Sequence, residues 1–183
     1  MSRENKNKVL YFEYTIYKLI EWVKKNNPSL THPESSFTKL KALKLLFFVA
    51  AVNSSKKSHI LLDIFNNFYA MPYGPVESDI YNSILHKLTK YYNILDIGTQ
   101  IKSNAERSVF YGLDNNVKKE IDKNIELLLE KNPKIIELPP YKLVDISHKW
   151  SVWINSMSIA NILGKKSEHM TINEIIASSK FYE

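Results

Sequence analysis

Apolar residues repeat with the period of an α-helix along most of the chain. Near the N-terminus six of them fall on one stripe: Val9, Phe12, Ile16, Leu19, Ile20 and Val23. This stripe predicts an amphipathic helix over residues 8–25 that Pro28 ends. Thr38 is placed to cap a second, more apolar helix, on which Lys41 and Lys44 lie opposite the leucines that face inward. The same period predicts helices over residues 116–131 and after Pro139-Pro140.

Another helix is predicted to begin at a glycine-proline pair. Gly74 permits a sharp bend, Pro75 suits the first helical position, and Glu77 and Asp79 favour the positive end of the helix dipole. The helix is therefore predicted from Pro75 to about Leu88. Just before it, the segment from Ile60 to Met71 fits a helix and an extended strand about equally well.

The helical spacing of apolar residues is lost between Ile94 and Leu113. Residues 94–97 and 109–113 are short β-prone runs around a polar tip at residues 103–106, which predicts a hairpin. No repeat, low-complexity tract or Gly/Ser linker divides the sequence. The predicted fold class is therefore mainly α: a single compact helical domain over residues 1–183 with one small β-hairpin at about residues 94–113.

Composition narrows the possible functions. Four glycines are too few for a many-turned β-sandwich or a glycine-rich nucleotide loop, and the absence of cysteine removes disulfides and thiol chemistry. The longest apolar run, Leu45–Val52, falls well short of the roughly 20 residues that cross a bilayer, and the polar start lacks the apolar centre of a secretory signal. These features predict a cytoplasmic protein that does not associate with membranes.

The net charge of +6 is concentrated in the first third of the chain. Residues 1–60 hold 11 Lys/Arg and 4 Asp/Glu, and the rest of the sequence is close to neutral. Such a basic segment can steer anionic partners. However, only Arg3 and Arg107 are arginines, and lysine lacks the planar fork that reads guanine or phosphate. Solvated helix faces are therefore the simpler explanation of the charge.

Residues for catalysis or metal binding do not fall into a known spacing. The five histidines are scattered, without the i, i+4 spacing of a helical zinc site, and there is no phosphate-binding glycine loop and no nucleophile elbow. Glu77 and Asp79 would point about 200° apart on a helix. No catalytic residue, metal site or cofactor is therefore predicted.

Two aromatic-rich segments remain as candidates for binding. One runs from Phe68 to Tyr81 and the other from Leu143 to Trp153. Aromatic side chains with a polar handle anchor protein interfaces, and they also anchor cores, so both roles stay open for these residues. The candidate partner-binding residues are Tyr69, Tyr73, Gly74, Pro75, Val76, His148, Trp150 and Trp153.

Three short motifs occur one after another along the chain. They are Leu43-Lys44-Leu45-Leu46-Phe47-Phe48, then Tyr73-Gly74-Pro75-Val76-Glu77-Ser78-Asp79-Ile80-Tyr81, and last the stretch from Leu143 through His148 to Trp153. Over about residues 37–155 the sequence thereby resembles the SocA-like, or Panacea, antitoxin domain of bacterial and phage toxin–antitoxin systems. It departs from that pattern in its long N-terminal helix, in having Phe68 and Tyr69, not a tryptophan, before the turn, and in the unusual run from Ile101 to Tyr111.

The resemblance implies a function. It is that of a non-catalytic protein that neutralises a cognate toxin, encoded nearby, by binding it directly. A partner surface of aromatic residues with a charged rim would serve this purpose.

The alternative hypothesis is a winged-helix protein that binds DNA. A helix over residues 81–88, followed by the predicted hairpin with Lys102 and Arg107 near its tip, resembles that architecture. Against this hypothesis, Glu77 and Asp79 at the start of the helix would repel DNA. Nucleic acid is therefore the less favoured partner.

Overall fold

The computed structural model describes residues 3–183, with side chains from Asn7 onward, and it is mainly helical. The α-helices of this part of the chain are α1 (Arg3–Asn26), α2 (Lys39–Ala51), α3 (Ile60–Ile64), α4 (Ser78–Leu85), α5 (Asn115–Lys131), α6 (Pro140–His148), α7 (Ser151–Ile162) and α8 (Ile172–Ala177). Short 3-10 helices lie at Pro33–Ser36 and Arg107–Phe110. The mainly α fold class is thus confirmed.

The strands form two small antiparallel sheets. In the first sheet β1 (Phe68–Met71) lies between β2 (Gly74–Glu77) and β5 (Glu168–His169). The second is a hairpin of β3 (Tyr92–Leu95) and β4 (Gly98–Ile101). The first sheet is absent from the sequence-based prediction, because its strands are short and β5 is almost a hundred residues away from β1 in the chain.

Helix α2 is the centre of the core. Every residue from Lys41 to Ala51 is buried, and α2 packs against α1, α3, α5, α6 and β2. A helix in which apolar residues outnumber polar ones this strongly is expected to be enclosed by other elements. The prediction that Lys41 and Lys44 lie on an exposed face is therefore wrong: Lys41 is 3% exposed and Lys44 is fully buried.

The segment around Gly74 forms a strand and not the start of a helix. Gly74–Glu77 pairs with β1, with Ala70 opposite Pro75 and Met71 opposite Gly74. Proline is tolerated here because β2 is an edge strand. Helix α4 begins at Ser78 and ends at Leu85, so the helix predicted from Pro75 to about Leu88 starts too early and ends too late.

The second hairpin also differs from its prediction. It spans Tyr92–Ile101 with Asp96-Ile97 at the tip, whereas residues 107–110 form a 3-10 helix. Gly98 directly follows this tip with a φ of +151°, and a Cβ there would lie 2.4 Å from the Ser35 carbonyl oxygen, so glycine is required where β4 begins. The second predicted strand, residues 109–113, is therefore wrong, and its Phe110 is buried instead.

A buried carboxylate joins α1 to the second hairpin. Glu13 is fully buried, and its oxygens accept hydrogen bonds from the backbone N–H groups of Lys90, Tyr91 and Tyr92 at 2.8, 2.8 and 2.9 Å. Burial raises the pKa of Glu13, and the three N–H donors counteract that effect. This side chain therefore fixes where β3 begins.

We expect Glu13→Ala to destabilise the fold by about 3 kcal/mol, because it leaves buried N–H donors at Tyr91 and Tyr92 without an acceptor. Urea unfolding at pH 7 measures the loss. Glu21→Ala, on the more exposed part of the same helix, is the control and should change stability by less than about 0.5 kcal/mol. Equal effects of the two substitutions would contradict the anchoring role of Glu13.

Candidate functional site

The turn between β1 and β2 brings the three sequence motifs together. Gly74 has a φ of +89°, a conformation that side chains disfavour. A Cβ added to Gly74 would lie 2.3 Å from Ser147 Oγ on α6 and 3.0 Å from Lys44 Cε on α2. Glycine is therefore required here both by the backbone conformation and by the space available.

Lys44 lies directly beneath this turn. Its Nζ is buried and donates a hydrogen bond to the carbonyl oxygen of Pro75 at 2.5 Å. Burial lowers the pKa of Lys44 to about 7, since an ammonium ion is poorly solvated in the core. Lys44 therefore titrates near neutral pH, and its uncharged amine can still donate to Pro75.

His148 and Trp153 hold the turn from the other side. Their rings are stacked, with centroids 3.7 Å apart and planes inclined by 11°. The Trp153 indole N–H donates to the Met71 carbonyl at 2.9 Å. The pKa of His148 is lowered mainly by burial, and the nearby Lys44 lowers it further. Among the described residues, no hydrogen-bond partner reaches the buried Nε2 of His148.

The structure separates the predicted partner-binding residues by their exposure. Gly74, Pro75 and Val76 are buried in β2, while Tyr73 at the turn is 63% exposed. His148 and Trp153 are partly buried beside the turn.

Two of the predicted residues point elsewhere. Tyr69 is partly buried on β1, with its ring edge-on to His169. Trp150 is fully buried, packs edge-on against Phe47 and donates its indole N–H to the Phe181 carbonyl. Trp150 is therefore a core residue, and its side chain is not part of a surface.

A second buried polar cluster ties α1 to the end of β2. Lys8 Nζ lies 2.9 Å from Glu77 Oε1 and 2.6 Å from Asp79 Oδ2. Glu77 is the N-cap of α4 and accepts a hydrogen bond from the backbone N–H of Ile80. Because Glu77 lies outside the helix, both carboxylates reach one ammonium, although the helical spacing predicts that they point apart.

Opposing effects set the charge states of these two carboxylates. Burial raises the pKa of Glu77, and the hydrogen bond from Lys8 only partly opposes this. For Asp79 burial also acts to raise the pKa, but the hydrogen bonds from Lys8 and Asn67 outweigh it, so the pKa is lowered. The prediction that Glu77 and Asp79 favour the start of a helix is thus confirmed, and Glu77 is the N-cap of α4. Both carboxylates also form ion pairs with Lys8 of α1, which the sequence does not predict.

Reasoning from the sequence alone misses Lys44, Ser147 and Lys8. A signal for Lys44 exists: it directly precedes the longest apolar run, Leu45–Val52, on a helix whose other residues are nearly all apolar. No comparable signal exists for Ser147 or Lys8, because their roles depend on elements distant in sequence.

Comparison with known families identifies the class of this domain as antitoxin-type. Residues 43–154, more than half of the chain, match the family described as antitoxin SocA-like, Panacea domain, and the chain belongs to that family. The match includes Lys44, the Gly74 turn, His148 and Trp153. No curated protein and no solved structure matches the chain. In the described residues, no helix is both long and apolar enough to cross a membrane.

The glycine requirement can be tested with two matched substitutions. Gly74→Ala should destabilise the fold by about 3 kcal/mol, since it adds both a strained φ and a steric clash. Gly164→Ala introduces a residue at a φ of +64° into open space and should cost about 1 kcal/mol. Thermal and urea unfolding measure both values, and a Gly74 variant no worse than the Gly164 variant would contradict the clash.

Lys44 should make stability depend on pH. Its folded-state pKa, about 7, is below the ordinary value of 10.5, so between these values the unfolded chain binds a proton that the folded chain does not. Stability should therefore rise with pH in this window, by up to about 1.4 kcal/mol per pH unit.

We expect Lys44→Met to flatten this rise between pH 7 and 8, because above that range Lys41, whose pKa burial lowers to about 8, also contributes; Lys57→Met, in an exposed loop, should preserve the rise. Urea unfolding at four pH values measures the slopes. Parallel curves for the wild-type chain and Lys44→Met would show that Lys44 is charged in the folded state.

Proposed function

We propose that the chain neutralises a protein toxin, encoded beside it, by binding the toxin directly. In this proposal it acts in the cytoplasm and without catalysis. Membership of the SocA-like, Panacea domain family supports an antitoxin role in general. The observation that carries direct binding is the exposed apolar surface of α7, next to the Gly74 turn.

Helix α7 has the composition of a core helix but lies at the surface. Its sequence, SVWINSMSIANI, contains no charged residue, and only Val152, Ser156 and Ala160 are buried. Ile154 and Ile159 are 46% and 45% exposed, and Ile162 is 83% exposed. An uncharged helix that exposes several isoleucines is typical of a protein interface.

We call Tyr73, His148, Trp153, Ile154 and Ile162 the turn–α7 face, which starts at the turn and continues along the outer side of α7. Ile159 lies on the other side of this helix, beside Glu174 and Ala177 of α8. Trp153 belongs to α7 and bonds to the turn through Met71, so the two parts adjoin. Tyr73 precedes Gly74 and Pro75, whose backbone packs against Lys44. A tyrosine has only two side-chain torsions to order on binding, so an exposed tyrosine beside a packed backbone is suited to be an anchor.

The structure does not favour the DNA-binding alternative. The tip of the β3–β4 hairpin, where a wing would touch phosphate, presents Asp96 and Ile97. Lys102, expected near the tip, instead donates to the Thr89 carbonyl at 2.5 Å. Asp96 pairs with Lys39 at 2.8 Å and Ile97 is apolar, so this tip presents little positive charge to a phosphate backbone.

Co-expression with the adjacent gene product tests the proposal. The wild-type chain should restore growth and co-purify with that product. Ile162→Asp and Tyr73→Ala should each weaken binding at least tenfold, because a charge or a cavity would be placed in a buried interface. Isothermal titration with the purified partner gives the affinities.

The matched control is Ile97→Asp, which makes the same change at an 87% exposed isoleucine on the hairpin tip. It should leave rescue and affinity unchanged. Circular dichroism and melting curves must show that all variants are folded. The proposal fails if the adjacent product is harmless alone, or if Ile97→Asp abolishes binding while Ile162→Asp does not.

A further inference from the structure

A separate groove in the described structure lies between α1 and the β3–β4 hairpin. It encloses about 810 Å³ and is bounded by α1 from Tyr17 to Lys24, by the loop at residues 31–35, by β4 and by Arg107. This volume falls within the range of sites that bind ligands or peptide segments. No residue of the turn–α7 face lines it.

The floor of the groove is aromatic. The Tyr17 and Tyr91 rings meet edge to face with centroids 6.2 Å apart. The Arg107 guanidinium lies over the Tyr17 ring, 5.2 Å from its centroid, and its side chain is still more than half exposed. Such a floor can accept an apolar or aromatic side chain from a partner.

One wall of the groove is a strand edge with free backbone groups. Lys102 N donates to Tyr91 O at 3.0 Å, one position beyond the register pair Tyr92↔Ile101. Tyr91 and Lys102 are therefore a hydrogen-bonded pair. Hydrogen-bonded and non-hydrogen-bonded pairs alternate along an antiparallel ladder, so Tyr92 and Ile101 form a non-hydrogen-bonded pair, and the N–H and C=O of Ile101 point away from β3. The same alternation directs the Tyr92 N–H outward on the other side, where it bonds to Glu13.

Ile101 is half exposed, and in the described residues nothing outside the ladder bonds to its backbone groups. Further back along β4, the neighbouring loop covers Thr99, whose hydroxyl donates to the Phe37 carbonyl. The accessible edge is therefore short and centred on Ile101. It can take a short extended segment that pairs with β4, as in the addition of a strand to a sheet edge.

The charges around the groove favour an acidic segment. Its two carboxylates already have partners: Glu21 lies 3.7 Å from Arg107 and Glu34 lies 3.2 Å from His32. Lys24 is exposed, and no described acidic side chain lies within 4 Å of its ammonium group. An acidic side chain on the bound segment would complement Lys24.

We infer that this groove binds a short, extended, acidic segment of the protein partner by strand addition to β4. This inference rests on the proposed function, because it assigns the toxin a second contact site. Residues 17–35 of the groove lie outside the family match, whereas β3 and β4 lie within it. The groove therefore combines a part outside the matched segment with a part inside it.

Overlapping fluorescein-labelled peptides that span the adjacent gene product test this inference by fluorescence anisotropy with the full chain. At least one peptide that contains Asp or Glu should bind. Lys24→Glu should weaken that binding at least fivefold, and exchanging the acidic residue of the peptide for lysine should restore it. Lys25→Glu is the matched control, since it makes the same charge change at an exposed residue outside the groove.

The strand edge is tested by Ile101→Pro, which removes an N–H that the β3–β4 ladder does not use. It should abolish peptide binding and leave the circular dichroism spectrum unchanged. If this variant does not fold, the comparison of Lys24→Glu with Lys25→Glu still tests whether the groove binds the peptide. Equal affinities of these two charge variants overturn the inference.

The remaining outcomes separate this inference from the proposed function. If Ile162→Asp abolishes co-purification while no peptide binds, the proposed function stands and the groove is not a contact site. If the chain dimerises and Lys24→Glu dissolves the dimer, the groove binds a second copy and the inference is wrong. If the adjacent product does not bind at all, both proposals fail.

Discussion

The hydrogen bond from Lys44 to the Pro75 carbonyl joins the most buried helix of the fold to the turn on which the candidate site is built. A charged ammonium without a carboxylate partner is unfavourable in a core, and burial lowers its pKa accordingly. The lysine stem and Ser147 then fill the space where a Cβ of residue 74 would stand. The position of the exposed Tyr73 thus depends on a side chain that never reaches the surface.

The long helices could be predicted from the sequence because each has a feature that does not depend on distant residues. In α1 an apolar stripe continues over many turns, and in α2 the cap at Thr38 marks the start. The short strands lack such features. Gly74–Glu77 forms a strand only because Phe68–Met71 lies beside it, so local preferences for a helix start at Pro75 are overridden by pairing.

For the candidate site, the segments could be predicted but not the environment of each side chain. Glycine and aromatic residues near 74 and 150 stand out in any sequence, yet nothing local shows that Trp150 faces Phe47 while Tyr73 faces solvent. Lysine is assumed to be solvated, which hides Lys44 and Lys8. The single-domain organisation and the partner-binding role of these residues stay predictions.

The ion pair of Lys8 has a consequence for how this protein can diverge from its relatives. Lys8 lies outside the segment that matches the family, but it neutralises Glu77, which is fully buried within that segment. Recombination that brought in an N-terminal helix without a basic residue at this position would leave a carboxylate in the core without its counter-ion. Changes in the first helix at Lys8 and in the Gly-Pro-Val-Glu segment at Glu77 are therefore coupled.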